Sequence, residues 1–303
     1  MNKFDNKQTG LLSSADLKTN KGKIVYWGFF TVLIIVCIIS VFPAMWTVLT
    51  AFKETQEIYS SFTFFPKDMS LSNLWKRLYE SWSILKLGDS FINTVILSIG
   101  NLAFTLIVCG FGGYVLSKLK PKGSRIVFVL VVWTMMMPGQ IRMVPNYIAM
   151  LHFPFAYDFG GGVSLLDTFW PMWLGAAANA FNLILFKNAF DALSITYVEA
   201  AKLDGCTNYG VFFRIMLPLS MPTIIFVAIG TLSGAWSEFF GPLLYLDKYI
   251  VTPLKIYRLQ SDTSIEMNTR FMGLVFASVP PFIIFLFAQK QILGGVNVGG
   301  VKG

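Results

Sequence analysis

The chain has 303 residues, of which 55% are hydrophobic and only 13% charged, and its mean hydropathy is +0.62. A soluble domain carries about 25% charged residues, so this composition excludes a soluble globular fold and points to one helical bundle in a bilayer. The net charge of +8 does not indicate nucleic acid, because the Lys and Arg residues flank apolar runs instead of forming one basic surface.

Residues 1–23 are polar and of mixed charge. They lack a short apolar core with a small-residue cleavage site, so they predict a retained cytoplasmic arm and not a signal peptide. Six uncharged apolar runs follow, at 24–52, 91–116, 126–141, 168–186, 215–237 and 271–289. Each approaches the roughly 17–25 residues needed to cross hydrocarbon. They predict an all-α integral membrane protein with a transmembrane domain over 24–293. Its six spans are expected at about 24–52, 91–117, 126–150, 167–187, 217–240 and 270–290.

Pro43, Pro138 and Pro145 lie in or beside spans, where neighbouring helices can satisfy the freed carbonyls. Gly110, Gly112 and Gly113 in the second run, and Gly175 with Ala176–Ala178 in the fourth, are small enough for close helix approach. Between the first two runs, Trp75, Tyr79 and Trp82 share one helical face, as an interfacial anchor or core packing would require; the alternative is a surface for an external partner. Cys37, Cys109 and Cys206 offer no disulfide framework, and the single His152 rules out a multi-histidine metal site.

Lys and Arg near span ends set the orientation. With the N-terminus inside, cytoplasmic segments hold 14 of the 24 basic residues but only 5 of the 16 acids, and Lys118, Lys120, Lys122 and Arg125 form the densest cluster. Both termini are therefore expected in the cytoplasm of a bacterial cell (inner or plasma) membrane.

The segment 197–218, between the fourth and fifth runs, carries the most information. Val198 to Leu203 are good helix formers, Gly205 suits a helix end at positive φ, and Pro218 suits the start of a new helix. Glu199, Ala200 and Ala201, then Gly205 after three residues, then Ile215, Leu217 and Pro218 after nine more, match with full spacing the EAA loop of bacterial ABC importer permeases. The chain thus resembles that family. The resemblance implies a coupling helix that docks into a cleft of an ATP-binding subunit. Glu199 would make the polar contact, Ala200 and Ala201 the close packing, and Gly205 the turn; Asp204 belongs to the same loop. No phosphate-binding Gly-rich loop ending in Lys-Ser/Thr occurs in the chain. It is therefore expected not to be an enzyme and to bind no cofactor, with ATP and Mg on the partner ATPase.

Two further segments resemble the sugar branch. The C-terminal tail 294–303, with Gly294, Gly295, Gly299, Gly300 and Lys302, is similar to that of maltose-type permeases, and this implies a tail that contacts the ATPase subunits. Trp236-Ser-Glu-Phe-Phe-Gly-Pro-Leu-Leu resembles a sugar-permease segment, with Ser237 in place of the usual Asn. The resemblance implies a second related permease, two ATP-binding subunits, an extracytoplasmic solute-binding protein and a sugar substrate, with an oligosaccharide preferred. Asn93, Asn101, Asn179 and Asn182 are candidate substrate-pathway amides, and Trp133, Trp170 and Trp173 could stack on a sugar. The alternatives are an ion-coupled secondary transporter, which would need ionisable residues inside the spans, or a permease for a polyol or glycerol phosphate.

Overall fold

The computed structural model describes residues 19–60, 63–154 and 162–293, which are helical apart from connecting segments and one isolated bridge between Phe153 and Val163. The tail residues Gly294, Gly295, Gly299, Gly300 and Lys302, and most of the N-terminal arm, lie outside the described residues. Helix α1 (Asn20–Ala51) starts where the Thr19 hydroxyl accepts from the Gly22 amide at 3.1 Å. None of its most apolar window is buried, and its chief neighbour is the last helix. A helix apolar all round needs lipid or another apolar surface about it.

Short helices α2 (Thr55–Ser60) and α3 (Leu71–Leu85) lead to α4 (Gly88–Leu119), a second long apolar helix with π turns at Thr105–Cys109 and Val115–Leu119. On α3, Trp75 and Tyr79 stay exposed, whereas Trp82 packs edge-on against Phe91 and Phe276. Next come α5 (Ser124–Met136), α6 (Gly139–Leu151), α7 (Trp170–Ala177), α8 (Ala180–Asp191), α9 (Thr196–Leu203), α10 (Asn208–Leu219) and α11 (Met221–Ser237). Helices α12 (Phe240–Tyr245), α13 (Thr252–Ser261) and α14 (Met267–Leu293) complete the order.

Among the described residues, three helices, α1, α4 and α14, are long and apolar enough to cross a membrane, and up to five if each bent pair is one span. The third, fourth and fifth apolar runs are not single straight helices. Helices α5 and α6 meet at 111°. Pro138 offers no N–H there and drives Met137 into an extended conformation, φ −80° and ψ 120°. Helices α10 and α11 meet at 80° around Ser220, between Pro218 and Pro222. The long helix therefore starts at Met221, and Pro218 instead sits beyond a π turn at Phe212–Met216. The fourth run breaks at Ala178–Asn179 without a proline.

Side chains bridge that break. The Asn179 side chain caps α8 by accepting from the Asn182 amide at 3.0 Å. Helix α4 supplies donors at the break: Thr105 Oγ1 to the Ala176 carbonyl at 3.2 Å and Cys109 Sγ to the Ala177 carbonyl at 3.3 Å, with the Asn179 carbonyl, which already accepts the Leu183 amide, 3.4 Å from the same sulfur. In hydrocarbon each unsatisfied carbonyl costs several kcal/mol, so a break is tolerated only with such neighbours.

Helix α4 approaches α8 closely because Gly113 has no side chain. A methyl group there would lie 2.7 Å from Phe186 Cβ and 2.8 Å from the Lys187 amide nitrogen. Gly113→Ala is expected to destabilise the folded permease by about 1–3 kcal/mol through overpacking, read as a lower melting temperature in detergent. Gly175 has nothing within 4 Å, so Gly175→Ala serves as the neutral control; a Gly113→Ala protein as stable as that control would refute the close-packing account.

Candidate functional site: a capped loop helix and a polar cavity

Helix α9 holds Glu199, Ala200 and Ala201 and ends as the sequence requires. Gly205 sits at φ +79°. The Cys206 amide donates to the Ala201 carbonyl at 2.9 Å and the Gly205 amide to the Lys202 carbonyl at 3.0 Å. These two bonds are a Schellman cap, and they satisfy carbonyls that the helix end would leave open. Asp204 is the residue at the cap, and Thr207 then starts α10 by accepting from the Gly210 amide at 3.2 Å.

The two faces of α9 differ. Val198 and Ala201 are buried in a core with Cys109, Tyr114, Phe186, Phe190, Phe212 and Met216, where Phe111 stacks on Phe212 with ring centroids 4.2 Å apart. Ala201 therefore packs within its own chain, while Glu199, Ala200 and Asp204 face outward. Ile215 and Leu217 are half-buried against the same core, and Pro218 is exposed. Leu203 is 89% exposed, Tyr209 70% and Tyr197 51%. This apolar outer face was not singled out in the sequence; its signal is a leucine on the helix side opposite Val198 and Ala201.

A charged knot fixes the entry to α9. Asp191 accepts from Ser117 Oγ at 2.6 Å and pairs with Lys187 Nζ at 2.5 Å, and Lys118 Nζ reaches the Leu193 carbonyl at 2.5 Å. Lys187 also lies 4.8 Å from the Phe128 ring centre. Burial pushes the Asp191 carboxyl up, but hydrogen bonds from Lys187 and Ser117 and the charges of Lys187 and Lys120 outweigh it and hold it below its ordinary value. Its stabilisation is thus present above the ordinary carboxylate pKa and is lost as pH falls through the depressed folded value. Asp191→Asn is expected to remove this acid sensitivity and lower the melting temperature at pH 7, with melting followed from pH 7 to 3. An unchanged pH profile would show that the knot contributes nothing.

The second feature is a cavity of about 790 Å³ walled by α4, α7, α8 and α11. Asn101, Asn179 and Asn182 all line it, with Thr105, Thr231, Ser237 and Glu238. The buried Oδ1 of Asn101 has no hydrogen-bond partner. Exposed Phe181, Phe226, Gly230 and Gly234 mark the side on which the cavity opens. Asn93 lies elsewhere and donates to the Ile250 carbonyl at 3.0 Å. Trp133, Trp170 and Trp173 are also outside the lining; Trp173 packs with Phe104 and Phe169 beside Gly100.

Comparison with known proteins follows the same lines. Residues 107–296 match the family described as binding-protein-dependent transport system inner membrane component. Protein LplC of Bacillus subtilis is 31% identical over 283 residues, covering 88% of this chain and 90% of that one. The arabinooligosaccharides transport system permease protein AraQ of the same organism is 30% identical over 277 residues, covering 91% and 94%. A solved bacterial ABC transporter involved in the import of the acidic polysaccharide alginate has a chain of similar fold, with a TM-score of 0.74 at 21% identity, covering 93% of this chain and 99% of that one. Family match and relatives agree over most of the chain, so it belongs to the binding-protein-dependent transport system inner membrane components.

Proposed function

We propose that this chain is one permease half of an ABC importer for an oligosaccharide, driven by a separate ATPase through the α9 loop. The observation that carries this is the loop itself. In a fully spaced Glu-Ala-Ala–Gly–Ile-x-Leu-Pro segment, the Glu-Ala-Ala part lies on a capped helix whose inner face belongs to the permease core and whose outer face is exposed. A helix built this way moves only with its core, so a force on Leu203 and Glu199 reaches α4, α8 and α11.

In this mechanism the loop lies on the cytoplasmic side, as the Lys and Arg distribution favours, and both termini share that side. The six apolar runs form the chain's spans, three of them bent or broken. A second related permease provides the other half of the pathway, and two ATP-binding subunits carry ATP and Mg. A solute-binding protein delivers the sugar from outside. The Gly-rich tail from Gly294 to Lys302 reaches the ATPase subunits. Closure of the ATPases on ATP draws the two loops together and opens the bundle outward. Asn101, Asn179 and Asn182 line the sugar's path, a use of convergent amides suited to hydroxyl-rich ligands.

The test is uptake of labelled oligosaccharide into vesicles holding the complete complex. Uptake should require this chain, the ATPase subunits and ATP together. Uptake that persists without ATPase subunits under an ion gradient would overturn the proposal in favour of a secondary carrier.

A further inference from the structure

We propose that the turn between α4 and α5 binds an anionic phospholipid of the inner leaflet, a reading that rests on the cytoplasmic side assigned to this turn above. Lys118, Lys120, Lys122 and Arg125 follow one another with no acid among them. The turn that presents them is held by its backbone. The Lys120 amide donates to the Val115 carbonyl at 2.9 Å, the Ser124 amide to Pro121 at 3.0 Å, and the Ile126 amide to Gly123 at 2.9 Å. Lys118 is engaged, on the Leu193 carbonyl. Lys120, Lys122 and Arg125 are exposed, and none of them enters an ion pair among the described residues. Asp191, the acid whose charge reaches Lys118 and Lys120, is already held by Lys187 and Ser117.

Directly beyond Arg125 the chain turns apolar. Helix α5 buries none of its residues. Ile126, Val129, Leu130 and Trp133 are exposed and recur at helical spacing along one side, whereas Phe128, on the other side, packs beneath Lys187. At 1.5 Å per residue the stripe runs about 10 Å, within the roughly 15 Å depth of half a hydrocarbon core. Free cations at the head of an exposed apolar stripe match a phosphate joined to an acyl chain. The positive excess favours an anionic headgroup over a zwitterionic one. A soluble phosphate or a soluble subunit would answer the cations and leave the stripe bare. The site also bears on the coupling loop: a headgroup that neutralises Lys120 relieves like-charge repulsion on Lys118, whose bond to Leu193 holds the entry to α9.

The test equilibrates the complete transporter with micelles of equal phosphatidylglycerol and phosphatidylcholine, washes it in lipid-free detergent and counts retained lipid by mass spectrometry. The expected result is at least about tenfold more phosphatidylglycerol than phosphatidylcholine. Lys122→Gln with Arg125→Gln should bring the ratio near one. Lys122→Gln alone keeps three cations of the turn to hold the orientation, and should lower the ratio about fivefold even if the double variant fails to insert. Lys76→Gln with Lys248→Gln, two exposed cations of other segments, should leave it unchanged. Equal retention by the wild type, or a ratio unmoved by Lys122→Gln, would overturn the site. So would displacement of the lipid by inorganic phosphate, which would mark a soluble-anion site, or a retained ratio with loss of the ATPase subunits, which would assign the cations to that partner. Uptake of oligosaccharide is measured separately: ATP-driven uptake without a lipid preference sinks this inference alone and leaves the importer standing.

Discussion

Leu203→Asp in the complete transporter is expected to weaken capture of the ATPase subunits about thirtyfold or more, with no change in the permease's own thermal stability. Leu203 ends α9 and is 89% exposed, so its replacement removes no packing from the chain. In a docked complex the same side chain would be an apolar contact of the loop, in which Tyr197 and Tyr209 are exposed as well. Truncating an interface anchor costs about 2 kcal/mol or more, and a carboxylate buried in an apolar contact adds desolvation; 2 kcal/mol is roughly thirtyfold in affinity. The measurement is pull-down of purified ATPase subunits by tagged permease, paired with a melting curve. Undiminished capture would place the docking face elsewhere, and a lowered melting temperature would show that Leu203 serves the fold.

Gly205→Val should cut uptake at least tenfold while the ATPase subunits still hydrolyse ATP. At φ +79° an L-residue pays about 1–2 kcal/mol, and a β-branched one is a genuine outlier there. The chain avoids that strain by giving up the two capping bonds to Ala201 and Lys202. The last turn of α9 then frays, and Leu203 loses its fixed position. A deficit near 1.4 kcal/mol is a factor of ten. Gly205→Asn should restore part of the uptake, since Asn tolerates this conformation. The ratio of sugar moved to ATP hydrolysed is the readout. Full uptake by the valine variant would mean that the cap is dispensable.

What could be read from the sequence follows a physical division. The loop helix and its cap were legible because they are local: Glu-Ala-Ala followed by Gly205 fixes a helix end within a few residues. The apolar runs were legible because apolarity sums along the chain. The bends were not, since a window of hydropathy does not register direction. Pro138 and Pro218 signalled two of them without giving the 111° and 80° turns. The break at Ala178–Asn179 has no proline; its only sign is an Asn placed to cap a second helix. The cavity adjoins that break, with Asn179 and Asn182 lining it from α8 and Asn101 from α4, while Asn93, of the same residue type, serves a loop carbonyl. Leu203 and Tyr209 escaped notice because one more apolar residue carries little information in a chain that is 55% hydrophobic.

The broken fourth run also bears on the order in which this protein can be built. Its open carbonyls at Ala176 and Ala177 are satisfied by Thr105 and Cys109, which leave the ribosome some seventy residues earlier. The donors are therefore already in the bilayer when the acceptors arrive. On the six-span reading proposed above, helix α1 needs no such companion and can enter alone, whereas α7 and α8 can settle in lipid only beside α4. Synthesis from the N-terminus thus delivers the self-sufficient helix first and the dependent one after its chaperone in cis.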